Sequence, residues 1–186
     1  PWRRARGDEG HAFVSATRDH VQWLGDEPGR ASQFRVRPLL GGLAGRTFTW
    51  GAGKYCDNIA QAADRLAYLT GTPALPLFWP PGGRASPRLT AAAQACGYRR
   101  LVATPIAFLP PGAPSARGPS AAQIDQLVAR TRAGDVLLAH LGAWSREVPQ
   151  VPVGLDALIG GLKARGFCFA TLRDAPAAPN PAAGPR

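Results

Sequence analysis

The histidines of this chain are its most versatile side chains for chemistry near neutral pH. An imidazole can transfer a proton or bind a metal ion, and metal sites group several ligands at short, regular spacing. His11 and His20 have no partner at such a spacing, so we expect both to be surface residues. His140 instead ends an apolar run that begins at Val136. Sites of βα barrels gather at strand ends, but a lone histidine there is more often an ordinary, partly buried residue.

The cysteines do not form a metal-binding pattern. Cys56, Cys96 and Cys168 are too far apart for a Cys-x-x-Cys knuckle, and their odd number leaves at least one unpaired. Because Cys96 and Cys168 both lie in apolar segments, we expect small core residues rather than ligands. The sequence leaves the redox state of the cysteines open.

The chain is strongly basic, with a formal net charge of +10 at pH 7. All of its basic residues except Lys54 and Lys163 are arginines, and they are scattered along the sequence. Nucleic-acid-binding domains concentrate their charge on one face or helix. A general bias of the sequence towards Arg, Ala, Gly and Pro explains the charge equally well, so nucleic-acid binding rests on charge alone.

The sequence contains no candidate membrane segment. No apolar stretch approaches the roughly 20 residues that cross a bilayer, and the N-terminus lacks the pattern of a signal peptide. The chain starts at Pro1 and has no Met. We therefore expect a processed product or a fragment, from which a targeting segment could have been removed.

From residue 57 onward, helix and strand patterns alternate. Helices are predicted at residues 57–71, 87–97, 120–134 and 155–166, and strands at residues 74–79, 101–103, 136–140 and 167–172. Strands separated by single helices favour a parallel sheet or a barrel of βα units. The fold class is therefore α/β.

The two ends of the chain are less regular. Residues 1–45 are predicted to be a poorly defined N-terminal segment with candidate strands at 12–16 and 34–40, because Gly, Pro and Arg interrupt the pattern. Residues 175–186 are rich in Ala and Pro and are predicted to be disordered. The domain proper is predicted to span residues 46–174.

Three motifs follow one another between residues 77 and 172. Residues 77–83 read LFWPPGG and precede a helix that ends in CGY, residues 134–140 read GDVLLAH, and residues 158–172 end in LKARGFCFATL. In order and spacing they resemble the FRPPGG, GDIVLLH and LKARGYRFVTL segments of the polysaccharide deacetylases (carbohydrate esterase family 4). The resemblance covers residues 50–172 and implies a distorted or incomplete (β/α) barrel, of which residues 1–45 would hold a remnant.

The resemblance also implies an activity. Members of the family remove acetyl groups from chitin, peptidoglycan or xylan with a divalent metal, often zinc, held by one Asp and two His. His140 matches the catalytic acid, and Leu138 matches a residue of the acetate-methyl pocket. Trp79 and Trp144 would flank the cleft and could stack on sugar rings, or else pack in the core. The resemblance implies an acetylated polysaccharide as the partner. It also implies an extracellular or periplasmic location.

Several positions depart from the family pattern. Arg46 and Trp50 stand where the two metal-binding histidines belong, and neither side chain can bind a metal. Trp79 replaces the family's Arg. For the missing base motif two registers are open: residues 13–15 match the second strand of the family, or residues 17–20 are the relic of the base motif, with Asp19 at a metal-ligand position. The first is preferred.

These departures predict a deacetylase-like chain that is catalytically impaired and holds no metal or other cofactor. Four alternatives stay open. They are an active deacetylase with an unusual ligand set, a non-catalytic glycan-binding module, a truncated or damaged gene product with no selected function, and a basic nucleic-acid-binding domain.

Overall fold

The computed structural model describes residues 2–7, 9–102, 104–105, 120–138 and 154–173. The contacts divide the chain into two compact units. Unit 1 comprises the described residues up to Val102 together with Thr171–Arg173, and unit 2 comprises those from 104 to Ala170. Residues 1–45, set apart in the sequence prediction, thus share a compact unit with the residues that follow them up to Val102.

After the short helix α1 (Trp2–Gly7), unit 1 contains an antiparallel three-stranded sheet. Its strands are β1 (Val21–Asp26), β2 (Gln33–Pro38) and β3 (Phe48–Gly51), in the order β1-β2-β3. Strand β2 buries Phe34 and Val36 and exposes Arg35 and Arg37. This alternation is the period of two that a half-buried strand requires. The candidate strand at 34–40 is therefore confirmed in part. The candidate strand at 12–16 forms only a single bridge, at Ser15.

Helix α2 (Ala52–Thr70) packs on the inner face of this sheet through Tyr55 and Ile59. The prediction that this helix begins at Asp57 was wrong. Tyr55 shares the helical face of Ile59, so burial of that face extends the helix back to Ala52. Its end was predicted correctly: Gly71 adopts a φ of 77° and donates its N–H to the carbonyl of Ala67.

A parallel strand pair follows in unit 1. Strand β4 (Leu77–Phe78) pairs with β5 (Arg99–Arg100), and α3 (Pro87–Ala95) connects them. The side chain of Ser86 accepts a hydrogen bond from the N–H of Leu89 and so caps α3. Ser15 forms a parallel bridge with Phe78 on the other side of β4. The strand predicted at 101–103 lies two residues earlier, at β5.

The expectation that Cys96 and Cys168 are small core residues was wrong for both. Cys56 in α2 and Cys96 at the end of α3 form a disulfide with their Cα atoms 6.3 Å apart. The two cysteines are 40 residues apart in sequence, and the packing of α3 beside α2 brings them together. Cys168 is a free, exposed thiol and not a core residue.

Unit 2 contains two helices and a second parallel pair, β6 (Thr104–Pro105) with β7 (Leu137–Leu138). Helix α4 (Ala121–Arg130) starts with a full capping box at Ser120, as predicted, but it ends before Gly134. Helix α5 (Leu155–Ala164) starts as predicted. The helices bury the apolar side chains that face each other, which are Ile124, Leu127, Leu158 and Leu162.

The prediction of a buried strand at 167–172 was wrong. Within the described residues this segment pairs with no strand, Cys168 is exposed and 56% of the Phe169 side chain is accessible. An apolar run becomes a buried strand only where neighbouring strands accept its hydrogen bonds. Local composition alone cannot supply that neighbour.

Helices connect parallel strands in both units, as βα units do, while the described strands form separate small sheets. The barrel stays a prediction. No helix in the described parts of the chain is long and apolar enough to cross a membrane. The tail predicted at 175–186 lies outside the described residues.

Candidate functional site

The WPPGG motif forms a rigid turn at the carboxyl end of β4. Pro80 and Pro81 are buried, and Gly82 and Gly83 adopt φ angles of 72° and 69°, which side-chain-bearing residues rarely adopt. The N–H of Trp79 donates to the carbonyl of Ser15 at 2.7 Å. The indole packs on the turn itself, with Cη2 3.4 Å from the position of a Cβ atom at Gly83. Trp79 is therefore held in a fixed orientation, half-buried and half-accessible.

The residues after Ser15 form a second turn at the same sheet edge, because Ser15 runs parallel beside Phe78. Ser15 is fully buried and its hydroxyl donates to the carbonyl of Ile59 at 2.9 Å. Thr17 and His20 have φ angles of 63° and 49°. Such backbone conformations are uncommon outside glycine and gather at functional sites. His20 is half-buried in this turn, so its prediction as a surface residue was wrong, whereas His11 is exposed.

Asp19 lies in this turn and is already engaged by a neighbour. The side-chain amide of Asn58 donates to Oδ2 of Asp19 at 2.9 Å, and the Asn58 oxygen accepts from the Asp19 N–H at 3.2 Å. Among the described residues no group of three or more His, Cys, Asp or Glu side chains could hold a metal ion. The pair with Asn58 fixes the turn on α2, and this gives Asp19 a structural task.

Trp50 and Arg46, at the positions of the family's histidines, occupy unrelated environments. Trp50 is 3% exposed, lies opposite Phe34 in the antiparallel sheet and carries the ammonium group of Lys54 4.7 Å from its ring centre. Its Nε1 is buried without a hydrogen-bond partner in the described part of the chain. Arg46 is exposed and places its guanidinium 5.3 Å from the ring centre of Phe48. Trp50 is a core residue and Arg46 is a surface residue.

The remaining predicted site residues lie in the second half of the chain. Leu138 is the half-buried last residue of β7 and pairs with Pro105. Trp79 belongs to unit 1 and Leu138 to unit 2. His140 and Trp144 lie outside the described residues.

The outer face of the antiparallel sheet carries functional candidates that the sequence reasoning missed. Arg35 and Arg37 are exposed on the central strand β2, and Gln22 of β1 lies directly opposite Arg37. Gln22 also reaches the WPPGG turn, with Nε2 3.6 Å from the position of a Cβ atom at Gly82. We call Gln22, Arg35 and Arg37 the arginine face. The alternation in FRVRP at residues 34–38 was the signal that could have revealed it.

An open groove of about 300 Å³ in unit 1 is a weaker candidate. The groove is lined by small apolar residues, the carboxylate of Asp64 and the phenol of Tyr98. Burial, and secondarily the negative charge of Asp64, raises the pKa of Tyr98. A phenol with a raised pKa stays protonated at neutral pH and cannot act as a base there. Tyr55, whose pKa is raised further by burial, lies in the core and donates to the carbonyl of Val21.

No protein-family model matches the chain, and no curated protein matches it. The likeness to polysaccharide deacetylases therefore rests on the three motifs described above. Of the predicted site residues in these motifs, the structure describes Trp79, which follows β4, and Leu138, the last residue of β7.

Proposed function

We propose that this chain is a non-catalytic carbohydrate-binding protein built on a degenerate polysaccharide deacetylase scaffold. The observation that carries the proposal is the fixed, half-accessible indole of Trp79 at the carboxyl end of β4. Residues at this end of parallel strands are the usual site of ligand binding in folds made of βα units. Acetylated polysaccharides are the ligand class that the motifs imply.

A rigid tryptophan suits sugar recognition for a physical reason. The face of a pyranose ring presents apolar C–H groups, and a flat indole covers them while the hydroxyl groups at the rim stay in water. Trp79 loses little freedom on binding, because the Ser15 carbonyl holds its backbone and Gly83 supports its ring. An accessible aromatic ring that is already oriented is thus available for stacking without further ordering.

The environments of Trp50 and Asp19 support binding without hydrolysis. Metal-dependent deacetylation needs a Lewis acid with an open coordination position beside a base. Trp50 faces the core with Phe34, and Asp19 is paired with Asn58, so neither is free to serve that chemistry.

The disulfide supports an extracellular or periplasmic location. Disulfides persist in oxidising compartments and are rare where glutathione keeps thiols reduced. Cys56 and Cys96 join two helices of unit 1, so the bond is part of its framework. This is also where structural polysaccharides are accessible.

Catalysis is tested first, by titrating chelator-treated protein with zinc in a calorimeter and following acetate release from chitin oligomers in the same samples. We expect neither one-to-one zinc binding nor acetate. Tight stoichiometric binding accompanied by acetate release would overturn the proposal and make the chain an active deacetylase with an unusual ligand set.

Binding is tested with chitin oligomers by calorimetry on two variants of Trp79. Trp79→Leu keeps apolar bulk but removes the flat ring, and should weaken binding about tenfold; Trp79→Phe keeps a ring and should retain most of it. Tyr68→Ala is the matched control, because Tyr68 is an exposed aromatic side chain on α2. Equal affinities for the wild type, the Leu variant and the control would refute a role for Trp79.

A further inference from the structure

We propose that the arginine face continues the Trp79 site and that the ligand is an acidic polysaccharide, one that carries carboxylate groups on its sugar rings. This inference rests on the proposed function and specifies its ligand class. Trp79 would stack on a sugar ring while Arg37 and Arg35 bind carboxylates of neighbouring rings. Gln22 lies between the two parts and offers an amide to hydroxyl groups.

Continuity of the surface follows from the two glycines of the WPPGG turn. The indole of Trp79 packs beside Gly83, and Nε2 of Gln22 lies 3.6 Å from the Cβ position of Gly82. Consecutive residues of one tight turn thus contact the aromatic ring on one side and the sheet on the other. Their positive φ angles favour glycine at both positions.

From Gln22 the surface runs across the sheet. Gln22 and Arg37 are directly opposite each other on β1 and β2, and directly opposed residues point to the same face of a sheet. Arg35 is two residues from Arg37 on β2, so it shares that face at a spacing of roughly 7 Å. Its Nη2 lies 3.3 Å from the Cβ position of Gly25, which means that the guanidinium extends over a glycine of β1.

Both guanidinium groups are available to an external anion. Arg35 and Arg37 are exposed, and in the described parts of the chain neither forms an ion pair. Glu27, which lies near this sheet, directs Oε2 towards the hydroxyl of Thr49 at 3.5 Å. A guanidinium presents a planar fork of donors that fits a carboxylate with two parallel hydrogen bonds.

The structure favours an acidic polysaccharide over a nucleic acid. Nucleic-acid binding at physiological salt draws on many phosphate contacts, whereas this face offers two arginines. The Cys56–Cys96 disulfide is typical of compartments outside the cytosol, where acidic polysaccharides are abundant and nucleic acids are not. The adjoining Trp79 supplies the stacking surface for a sugar ring.

The test compares three probes of similar length with the full chain: oligogalacturonate, a neutral chitin oligomer and single-stranded DNA. We expect oligogalacturonate to bind about tenfold more tightly than the chitin oligomer, and its affinity to fall as salt rises. The double variant R35Q/R37Q should lose this tenfold advantage and keep the affinity for chitin oligomers. R65Q/R99Q removes the same charge from exposed positions outside the arginine face and should change neither affinity.

The outcomes separate the two proposals. If R35Q/R37Q and R65Q/R99Q bind oligogalacturonate equally, or if DNA binds more tightly than oligogalacturonate in an Arg35- and Arg37-dependent manner, the acidic-polysaccharide inference fails. If W79L leaves the binding of both sugars unchanged, the proposed function of Trp79 fails, whatever the arginines do. The thermal unfolding midpoint of each variant is measured as well. A midpoint equal to that of the wild type establishes that a loss of binding is not a loss of fold.

Discussion

Two tryptophans stand in positions where the deacetylase pattern expects other residues, and their surroundings give them different tasks. Trp50 is buried between Phe34 and α2, whereas Trp79 keeps one side accessible at a strand end. The difference comes from the strands that carry them. Strand β3 is covered by α2, while Trp79 follows the last residue of β4 and leaves the sheet. An identical side chain thus serves packing in one place and, in the function proposed above, recognition in the other.

Introducing histidines at the two positions where the deacetylase pattern has them should therefore not create a metal site. In R46H/W50H the imidazole at position 50 would replace a core indole, so we expect the free energy of unfolding to fall by about 3 kcal/mol and no stoichiometric zinc binding to appear. Urea unfolding followed by far-UV circular dichroism and a zinc titration measure the two effects. R46H alone changes an exposed residue and should cost no more than about 1 kcal/mol. Tight zinc binding by the double variant would contradict the assignment of Trp50 to the core.

The close packing of α5 against α4 depends on a glycine, Gly161, at the contact. A Cβ atom at Gly161 would lie 2.8 Å from Cγ2 of Val128, and a β-branched valine in a helix cannot easily rotate away. Gly160, the preceding residue of the same helix, faces open space. The two glycines are thus matched in sequence and helix position but not in surroundings.

Alanine substitutions at these two glycines should have opposite effects. G161A should lower the free energy of unfolding by about 1–3 kcal/mol, because the added methyl group forces the helices apart. G160A should raise it by about 0.5–1 kcal/mol, since alanine favours the helix and meets no neighbour. Chemical denaturation of both variants measures the difference. Stabilisation by G161A equal to that by G160A would contradict the close packing on Val128.

The disulfide connects α2 to the end of α3, and its loop contains β4 and the WPPGG turn. For a loop of 40 residues, loss of chain entropy in the unfolded state gives an estimated stabilisation of about 4 kcal/mol. We expect the variant C56A/C96A to unfold at correspondingly lower urea concentration. Labelling of the denatured, unreduced wild type should find a single reactive thiol, that of Cys168.

Cys168→Ser is the control for this experiment. Its thiol is free and exposed, so the substitution should change stability by less than about 0.5 kcal/mol and remove the remaining label. Labelling of all cysteines in unreduced wild-type protein would show that Cys56 and Cys96 are not bonded.

Local signals in the sequence predicted the elements whose causes are local. Ser120 was recognised as a cap and Gly71 as a helix end, because a hydroxyl or a left-handed glycine acts within one turn of the chain. The antiparallel partner of β2 was missed, since the pattern of β1 is interrupted by a bulge between Trp23 and Gly25. The disulfide was missed because it depends on the packing of α3 against α2, which local sequence patterns do not reveal.

The same limit applies to the candidate site: its contiguous motif could be predicted from the sequence, and the part that depends on strand register could not. Trp79 was found because the WPPGG motif is contiguous in sequence. The arginine face was not, although Arg35 and Arg37 are close in sequence, because its meaning depends on Gln22 and on the register that places Gln22 opposite Arg37. Register is set by the whole buried face of a strand pair, and one residue of slip would turn both arginines inward.

At the scale of the whole molecule, unit 1 has a core of its own. Its buried side chains come from the antiparallel sheet, α2, β4 and α3, all of which lie before residue 102; they are Val21, Phe34, Val36, Trp50, Tyr55, Ile59, Phe78, Leu89 and Ala93. Both cysteines of the disulfide lie in the same stretch. Thr171–Arg173 join this unit, and Arg173 donates to the exposed carbonyl of Gly10 at 3.3 Å.

A fragment of residues 1–102 should therefore fold without the remainder of the chain. Its core and its disulfide are complete, and a chain of this length typically has a free energy of unfolding of about 5 kcal/mol or more. We expect one cooperative urea transition and retained near-UV circular dichroism. I59A in the same fragment tests that the transition reports this core, because Ile59 is fully buried and its truncation should cost about 2–5 kcal/mol. A broad transition that I59A does not shift would mean that unit 1 depends on the remainder of the chain, since a native core responds to the loss of a buried side chain and a molten one does not.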